Sequence, residues 1–339
     1  MDRRTFLTSS ALAFAHHLLA TSGAPISHLG ICAFSCHQRL RLKAPIDAVT
    51  FFHHARELGA ERVQCPLRDV EPKAIRDLVE RTGTSYEGEV RLPKTEADLI
   101  TFEAEVQKTR EAGALVARAV FTSGRRYEVF RSLAAFHTFT ENCRRTLQLV
   151  EPTLRKHRLK LALENHKDHT TDELIAHLKA ISSEWIGALV DTGNNIALLE
   201  EPHGTVEALA PYAISVHLKD MAVQEAPDGF LLSEVPLGSG MLDLRRMVLA
   251  LRRANPAIGV HLEMATRDPL RIPCLTDSYF ATFPERKADL LQHAMERVKQ
   301  HPPKVPVPNV SGKTIDQVLT EEEKNNRDSL DWMHRELKA

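Results

Sequence analysis

Four side chains that commonly bind divalent metal ions lie at or near the ends of four consecutive apolar segments between residues 159 and 264: Glu164, Asp191, His217 and Glu263. Three carboxylates and one imidazole form a hard, mostly oxygen ligand set that suits Mn²⁺, Mg²⁺, Co²⁺, Fe²⁺ or Zn²⁺. A single acid at such a position usually caps a helix or forms a salt bridge. Four at equivalent positions favour a metal site, because burying three carboxylates together without a cation is costly. The pattern therefore predicts one bound divalent metal ion.

The elements that must position these residues alternate along the chain between short apolar runs and helical stretches. Most of the runs are rich in Val, Leu, Ile and Ala, as buried parallel strands are. The eight runs are residues 29–34, 62–65, 84–90, 114–121, 159–165, 186–191, 214–220 and 258–264. The main amphipathic stretches are residues 47–60, 96–114, 132–157, 242–255 and 285–301. The alternation predicts an α/β chain with a single (β/α)8 TIM barrel over residues 25–301, whose active site lies at the carboxyl ends of the strands.

The segments around these side chains carry a resemblance to a known family. They read ALENH (162–166), VDTGN (190–194) and VHLKD (216–220), followed by PLGSGMLDL (236–244). They resemble the successive motifs of the sugar phosphate isomerase/epimerase superfamily, which has a xylose isomerase-like TIM barrel. The resemblance implies that the four side chains named above are the metal ligands, in that order on strands five to eight. It also implies that Glu164 and Glu263 act as acid and base on either face of the bound substrate.

The chemistry expected of such a site is proton transfer at carbon. A divalent ion chelated by a carbonyl oxygen and an adjacent hydroxyl oxygen acidifies the carbon-bound proton between them and stabilises the developing enediolate. A carboxylate within reach can then take the proton. The sequence therefore predicts a metal-dependent isomerase or epimerase that acts on a small sugar or keto-sugar.

Two other functions stay open. A lyase or dehydratase begins with the same proton abstraction but then expels water or an aglycone from a keto-sugar or a 3-keto-glycoside. The other is a non-catalytic sugar-binding barrel, and the complete ligand set weighs against it because a degenerate member is expected to lose at least one acid. A nuclease related to the apurinic endonucleases is disfavoured, since that group needs a histidine where this chain has Asn194.

Four further side chains are predicted to contact the substrate. They are His166, Lys219, Glu87 and Arg267. The first two each lie two residues beyond a predicted ligand, so strand alternation would point them the same way as that ligand. For Lys219 a salt bridge with Asp220 or Glu201 is the alternative. Glu87 and Glu89 lie two apart on the third predicted strand, and two acids on one strand face are unusual in an apolar barrel. Arg267 follows the last strand, where it could clamp a substrate.

The overall charge argues against a nucleic-acid partner. Lys and Arg total 44, and Asp and Glu total 45, so the net charge of −1 supplies no field that would hold a polyanion. The five cysteines include no C-x-x-C pair, which indicates neither a disulfide framework nor a zinc knuckle. The expected partner is a small-molecule sugar or keto-sugar, and the sequence leaves open whether the chain forms a homo-oligomer.

The two ends of the chain differ from the barrel in composition. Residues 1–24 begin with Arg3 and Arg4, continue through a short apolar stretch and end in small residues. This is typical of a twin-arginine signal peptide, and the apolar stretch is too short to span a membrane. We therefore expect export to the periplasm, with a disordered start and a cytoplasmic location as the alternative. Residues 302–339 are predicted to form a C-terminal extension, a Pro-rich linker followed by a polar helix.

The signal peptide can be tested by replacing both Arg3 and Arg4 with Lys. We expect the variant to stay in the cytoplasm, because the substitution keeps the charge and removes only the guanidinium pair that the export signal requires. The measurement is the distribution of tagged protein between periplasm and cytoplasm. Export of the double variant at the level of the natural chain would contradict the prediction.

Overall fold

Eleven strands form two sheets in the part of the chain that the structure describes. A computed structural model describes residues 29–42, 47–283, 285 and 287–337. The predicted signal peptide lies outside these residues. The strands are β1 (Leu29–Cys32), β2 (Arg62–Cys65), β3 (Ser85–Glu89), β4 (Val116–Ala119), β5 (Lys160–Glu164), β6 (Ile186–Asp191), β7 (Ala213–Leu218), β8 (Asp220–Ala226), β9 (Gly229–Val235), β10 (Gly259–Leu262) and β11 (Leu270–Ile272).

Eight of the strands close into a parallel barrel in the order β1-β10-β7-β6-β5-β4-β3-β2. Each of the eight apolar runs of the sequence contains one of these strands. Their side chains are largely buried, as expected for parallel strands that are covered by helices. For the described residues, the predicted (β/α)8 TIM barrel is therefore confirmed. The other three strands form a small antiparallel sheet in the order β11-β9-β8.

Helices lie between successive strands of the barrel and after β11. They are α1 (His37–Leu42), α2 (Ala48–Glu57), α3 (Pro72–Thr82), α4 (Leu99–Glu111), α5 (Arg126–Val129), α6 (Leu133–His157), α7 (Thr171–Ile181), α8 (Pro202–Leu209), α9 (Leu244–Ala254), α10 (Lys287–Gln300) and α11 (Ile315–Leu337). The five predicted helical stretches each contain one of them. Helix α7 was not predicted, although Thr170 and Glu173 form a capping box at its start. No helix within the described ranges has the length and apolar character needed to cross a membrane.

The register of the last barrel strands determines which side chains meet at their carboxyl ends. Asp191 is paired directly with His217 between β6 and β7. The neighbouring pair, β7 and β10, aligns Leu218 with Leu262. The backbone N–H of Glu263 then donates to the carbonyl of Leu218 at 3.1 Å, which continues the alignment by one residue. Three of the predicted ligands are thereby fixed at nearly the same height by backbone hydrogen bonds.

A hairpin follows β7, and the sequence analysis missed it. The seventh strand was predicted to run to residue 220, but β7 ends at Leu218 and β8 begins at Asp220. The turn between β8 and β9 contains Pro227, Asp228 and Gly229, which is a common hairpin signal. Gly229 has a φ of 151°, and a Cβ atom there would lie 2.0 Å from the carbonyl oxygen of Ile272. Glycine is therefore required where the hairpin pairs with β11.

Helix α11 packs along the barrel and braces the loops that follow β1 and β10. Its side chains Leu330 and Met333 are fully buried in the main core. Asn325 donates to Thr266 Oγ1 at 3.0 Å, and Asn326 donates to the carbonyl oxygen of Ser35 at 2.9 Å. The Glu322 carboxylate accepts hydrogen bonds from two backbone N–H groups at the start of α1. The C-terminal extension is therefore in contact with the carboxyl end of the barrel.

We expect Leu330→Ala to lower the free energy of unfolding by about 2–5 kcal/mol, because it opens a cavity in the main core. The measurement is denaturant unfolding followed by circular dichroism. Leu249→Ala is the matched control, since Leu249 is 54% exposed on α9, and a change below about 0.5 kcal/mol is expected for it. Equal effects of the two substitutions would contradict the packing described for α11.

Candidate metal centre

The four predicted metal ligands come together at the carboxyl end of the barrel. Glu164, Asp191, His217 and Glu263 are all buried, and one ligand atom from each lies within 4.8 Å of the others. Nδ1 of His217 is 3.1 Å from Glu263 Oε2 and 3.7 Å from Glu164 Oε2. The same nitrogen is 4.0 Å from Asp191 Oδ2. The prediction that these side chains meet is confirmed geometrically, whereas their role as ligands stays a prediction.

The surroundings of Asp191 show whether the four predicted ligands fit a cation. Its Oδ1 accepts hydrogen bonds from the backbone N–H groups of Gly193 and Asn194, at 2.9 and 2.8 Å. Its Oδ2 is buried and accepts no hydrogen bond from the described residues. Burial, together with repulsion from Glu263 and Glu164, raises the pKa of Asp191 to about 6, although Lys219 opposes the shift. Lys219 Nζ lies 3.1 Å from Oδ2 and offsets part of the negative charge of the three carboxylates. A divalent cation would offset more of it, so the residues fit a metal ion.

Gln64 orients the imidazole of His217. Nε2 of His217 lies 2.6 Å from Gln64 Oε1, which can only accept a hydrogen bond. Nε2 must therefore carry a proton, and Nδ1, which faces the carboxylates, is left to bind a cation when the ring is neutral. The amide nitrogen of Gln64 in turn donates to Glu87 Oε2 at 3.3 Å. Strands β2 and β3 thus fix a side chain of β7 through the barrel interior.

Arg118 and Asn194 hold the two oxygens of Glu164. Nε of Arg118 donates to Oε2 at 2.6 Å, and Nδ2 of Asn194 donates to Oε1 at 2.8 Å. Arg118 also lies 3.5 Å from Glu89. Burial opposes ionisation of Glu164, but the guanidinium of Arg118 prevails and lowers its pKa to about 2. Glu164 is therefore an ionised carboxylate, ready to bind a cation or to accept a proton.

Lys219 contacts the ligand group directly, as its predicted position on the strand suggested. Its Nζ lies 2.7 Å from Glu263 Oε2 and 3.1 Å from Asp191 Oδ2. Burial disfavours its charge, but Asp191 and Glu263 raise its pKa above the ordinary value. The alternative salt bridge with Asp220 or Glu201 is not formed. Asp220 instead accepts hydrogen bonds from backbone N–H groups of residues 238–242.

Glu87 lies deeper in the barrel than Glu89, which is the acid of β3 that contacts Arg118. The oxygens of Glu87 accept hydrogen bonds from Arg62 and Ser215, each at 2.8 Å, and from Gln64. Both oxygens are thus engaged by protein groups. The geometry favours a role for Glu87 in holding Gln64 over the predicted contact with a substrate.

His166 and Arg267 lie at the edge of the ligand group. Strand β5 ends at Glu164, so the expected alternation does not extend to His166. The ring of His166 has a buried Nδ1 without a hydrogen-bond partner among the described residues, and burial, followed by the charge of Lys167, lowers its pKa to about 4. Arg267 donates to both oxygens of Glu234, at 3.2 and 2.5 Å. Their predicted contacts with substrate remain predictions.

Five residues of this region were not predicted. They are Gln64, Arg118, Lys167, Asn194 and Glu234. A signal was present for Arg118 and Gln64, since each is a polar residue within a barrel strand. Glu234 lies on β9, which the sequence analysis had missed, so nothing in the sequence placed it near Arg267.

A cleft of about 1210 Å³ opens beside Arg118 and Glu89. Aromatic side chains form part of its wall, among them Phe121, Phe130 and Phe139. The cleft therefore leads from the solvent to the guanidinium that holds Glu164, and its size exceeds the space that one small sugar needs.

The comparison with protein families gives the class of the chain. Residues 52–301 match the family described as the xylose isomerase-like TIM barrel. This span is more than half of the chain, and the chain therefore belongs to that family. The resemblance to the sugar phosphate isomerase/epimerase superfamily is confirmed.

Individual relatives cover different parts of the chain. A 3-oxo-isoapionate decarboxylase from Pectobacterium atrosepticum is 36% identical over 99 residues, which is 29% of this chain and 36% of that protein. A crystal structure of D-psicose 3-epimerase has a TM-score of 0.60 at 14% identity and covers 92% of this chain and 100% of its own. The 3-keto-D-glucoside 4-epimerase of E. coli has a TM-score of 0.50 at 12% identity, with 80% and 99% covered. At such identities the two structures show a shared fold.

Gln64→Leu tests the orientation of His217. The substitution removes the acceptor for Nε2, so the ring loses its fixed tautomer, and we expect metal affinity to fall about 10–100-fold. The measurement is titration of metal-free protein with Mn²⁺ or Zn²⁺ by calorimetry. Gln292→Leu is the control, because Gln292 lies on helix α10 and bonds only Glu296. Unchanged affinity in Gln64→Leu would contradict the orienting role.

Proposed function

We propose that this protein is a divalent-metal-dependent isomerase or epimerase that moves a proton next to the carbonyl group of a sugar or keto-sugar. The observation that carries the proposal is the convergence of three carboxylates and one imidazole within 4.8 Å at the carboxyl end of the barrel. Membership of the xylose isomerase-like family and the fold shared with two sugar epimerases support an enzyme of this superfamily.

Glu164, Asp191, His217 and Glu263 would hold the ion. When bound, the ion would polarise the substrate carbonyl and acidify the neighbouring C–H bond. The protein supplies the proton carriers. Glu164 ends β5, and Glu263 follows β10. In the barrel order, strands β6 and β7 lie between β5 and β10. The two glutamates therefore approach from different sides of the barrel mouth, as removal of a proton from one face and delivery to another requires.

Neighbouring cations keep both glutamates in the ionised form that a base needs. Arg118 lowers the pKa of Glu164 to about 2 despite its burial. Lys219 and His217 likewise overcome burial and hold the pKa of Glu263 well below its ordinary value. A proton taken from carbon by either carboxylate would stay on that glutamate, because Arg118 and Lys219 are donors without an acceptor, and the glutamate could then return it to substrate.

A lyase is the second candidate, because the decarboxylase from Pectobacterium atrosepticum is related to part of this chain. Loss of carbon dioxide from a keto-sugar acid leaves the same kind of enediolate as loss of a proton does, whereas loss of water or an aglycone follows proton abstraction and consumes the enediolate. The charged groups described above would serve either reaction. The two differ in which bond to carbon is broken, so product analysis separates them.

Proton NMR in D₂O tests the proposal with metal-loaded protein and a panel of free ketoses and 3-keto-glycosides. We expect deuterium to enter one carbon with the carbon skeleton retained. Glu164→Gln and Glu263→Gln should each slow this exchange at least about 10²–10⁴-fold, because glutamine cannot accept the proton. Glu207→Gln is the control, since Glu207 is exposed on α8 and is expected to retain activity.

The other outcomes separate the alternatives. Full activity after chelation and removal of metal would contradict the metal-dependent mechanism. Release of carbon dioxide, a free aglycone or an unsaturated product would favour the lyase. Binding of a sugar by metal-loaded protein without any exchange or product would favour a non-catalytic barrel.

A further inference from the structure

Lys167 differs from the other cations around the ligand group. Arg118, Lys219 and Arg267 each lie within 4.0 Å of at least one carboxylate. Among the described residues, no carboxylate lies within that distance of Lys167 Nζ. Lys167 is nevertheless only 4% exposed. Among the described residues it is a buried ammonium group that no carboxylate contacts as an ion pair, with Glu234 and Asp191 acting on it only from a greater distance.

The hydrogen bonds of Lys167 are also incomplete. Its one acceptor among the described side chains is Oδ1 of Asn194, whereas an ammonium group has three N–H donors. A buried charge that lacks both a contacting partner of opposite sign and its full set of acceptors is costly. Burial, with the nearby charge of Lys219, accordingly lowers the pKa of Lys167 to about 7. Oxygen atoms of an anionic ligand would remove this cost.

Asn194 shows where such a ligand would lie. Its Oδ1 accepts from Lys167 and, at 3.0 Å, from Lys219. Its Nδ2 donates to Glu164 Oε1 at 2.8 Å. The two ammonium groups therefore converge on a single oxygen, and one amide group separates that oxygen from a predicted metal ligand. A small molecule held at the ligand group would reach both lysines.

The sum of charges points to a ligand with one negative charge. The ionic groups joined by these contacts include five carboxylates, of Glu89, Glu164, Asp191, Glu234 and Glu263, and four cations, of Arg118, Lys167, Lys219 and Arg267. With His217 neutral, they leave one net negative charge. A divalent ion would change this to one net positive charge. A carboxylate carries one negative charge, whereas a phosphate monoester carries about 1.5–2 at neutral pH, so the carboxylate is the better match.

We propose that Lys167 and Lys219 form a carboxylate-binding subsite, and that the substrate is the anion of a sugar acid or keto-sugar acid. The inference rests on the proposed function, because it assigns the substrate class of the same site. The carboxylate oxygens accept hydrogen bonds from the two ammonium groups, while the hydroxyl and carbonyl groups of the substrate face the predicted ligands.

Calorimetric titration of metal-loaded, full-length protein tests the subsite with matched pairs of probes. The pairs are D-glucuronate with D-glucose and D-xylonate with xylitol, at one ionic strength. We expect the acid of at least one pair to bind at least tenfold more tightly than its neutral counterpart. In Lys167→Met this preference should fall to within about twofold, because the charge is lost while the length of the side chain is kept.

Two variants and one further measurement control the experiment. Lys160→Met removes an exposed lysine at the opposite end of β5 and should retain the preference. Lys167→Arg keeps the positive charge and should retain a measurable part of the preference for the acid. Metal content and melting temperature are determined for every variant. We expect Lys167→Met to melt no lower than the natural chain, since it removes a buried charge that no carboxylate of the described residues contacts as an ion pair.

Each contrary outcome has a separate meaning. Equal binding of acid and neutral probes, or no binding of either acid, by metal-loaded protein overturns the subsite, and deuterium exchange on a neutral sugar would then leave the proposed function standing. A preference that survives in Lys167→Met overturns the assignment to Lys167. Tighter binding of D-ribose 5-phosphate than of either acid overturns the choice of a carboxylate. Failure of the natural chain to bind a divalent ion overturns the proposed function and this inference together.

Discussion

Charge neutralisation in a space shielded from water is the constraint on which the rest of this structure depends. Three carboxylates at the carboxyl ends of β5, β6 and β10, those of Glu164, Asp191 and Glu263, each place an oxygen within 4.8 Å of the others, where like charges repel strongly. Arg118 and Lys219 offset part of that repulsion, and the single unbonded oxygen of Asp191 marks where the compensation is incomplete. The closed barrel limits the conformational cost of this arrangement, because backbone hydrogen bonds between parallel strands hold Glu164 and Asp191 in place.

The sequence predicted the parts of this arrangement that follow from periodicity. Asp191 and Glu164 each end an apolar run, and parallel strands in a barrel present such ends at one face, so their convergence could be foreseen. Gln64 and Arg118 stand out in the sequence only as polar residues within barrel strands, and their partners could not be foreseen because these depend on which side chains meet across the barrel interior. For Glu87 the error was the opposite one, since the sequence suggested a contact with substrate that the structure does not favour. Its position on β3 was noticed, but only the structure shows that its oxygens are used by Arg62 and Ser215.

Loops and extensions were less predictable than strands for a physical reason. The hairpin of β8 and β9 interrupts the regular alternation of strand and helix, and it brings Glu234 to Arg267 and to within 3.9 Å of Lys219. Helix α7 was missed although its capping box and its apolar residues between 174 and 181 are visible in the sequence. The strand positions were predicted because eight similar runs reinforce one another, whereas each insertion occurs once and has no counterpart along the chain.

The position of α11 has a consequence for the order in which the protein forms. The loops after β1 and β10 are held by side chains that follow them by at least 59 residues in the chain, as in the hydrogen bond between Asn325 and Thr266. During synthesis the barrel strands emerge before this helix does, so the loop that carries Glu263 has to wait for its support. A nascent chain would therefore form its barrel strands first and would order the loop that carries Glu263, a proposed metal ligand, only when synthesis is nearly finished.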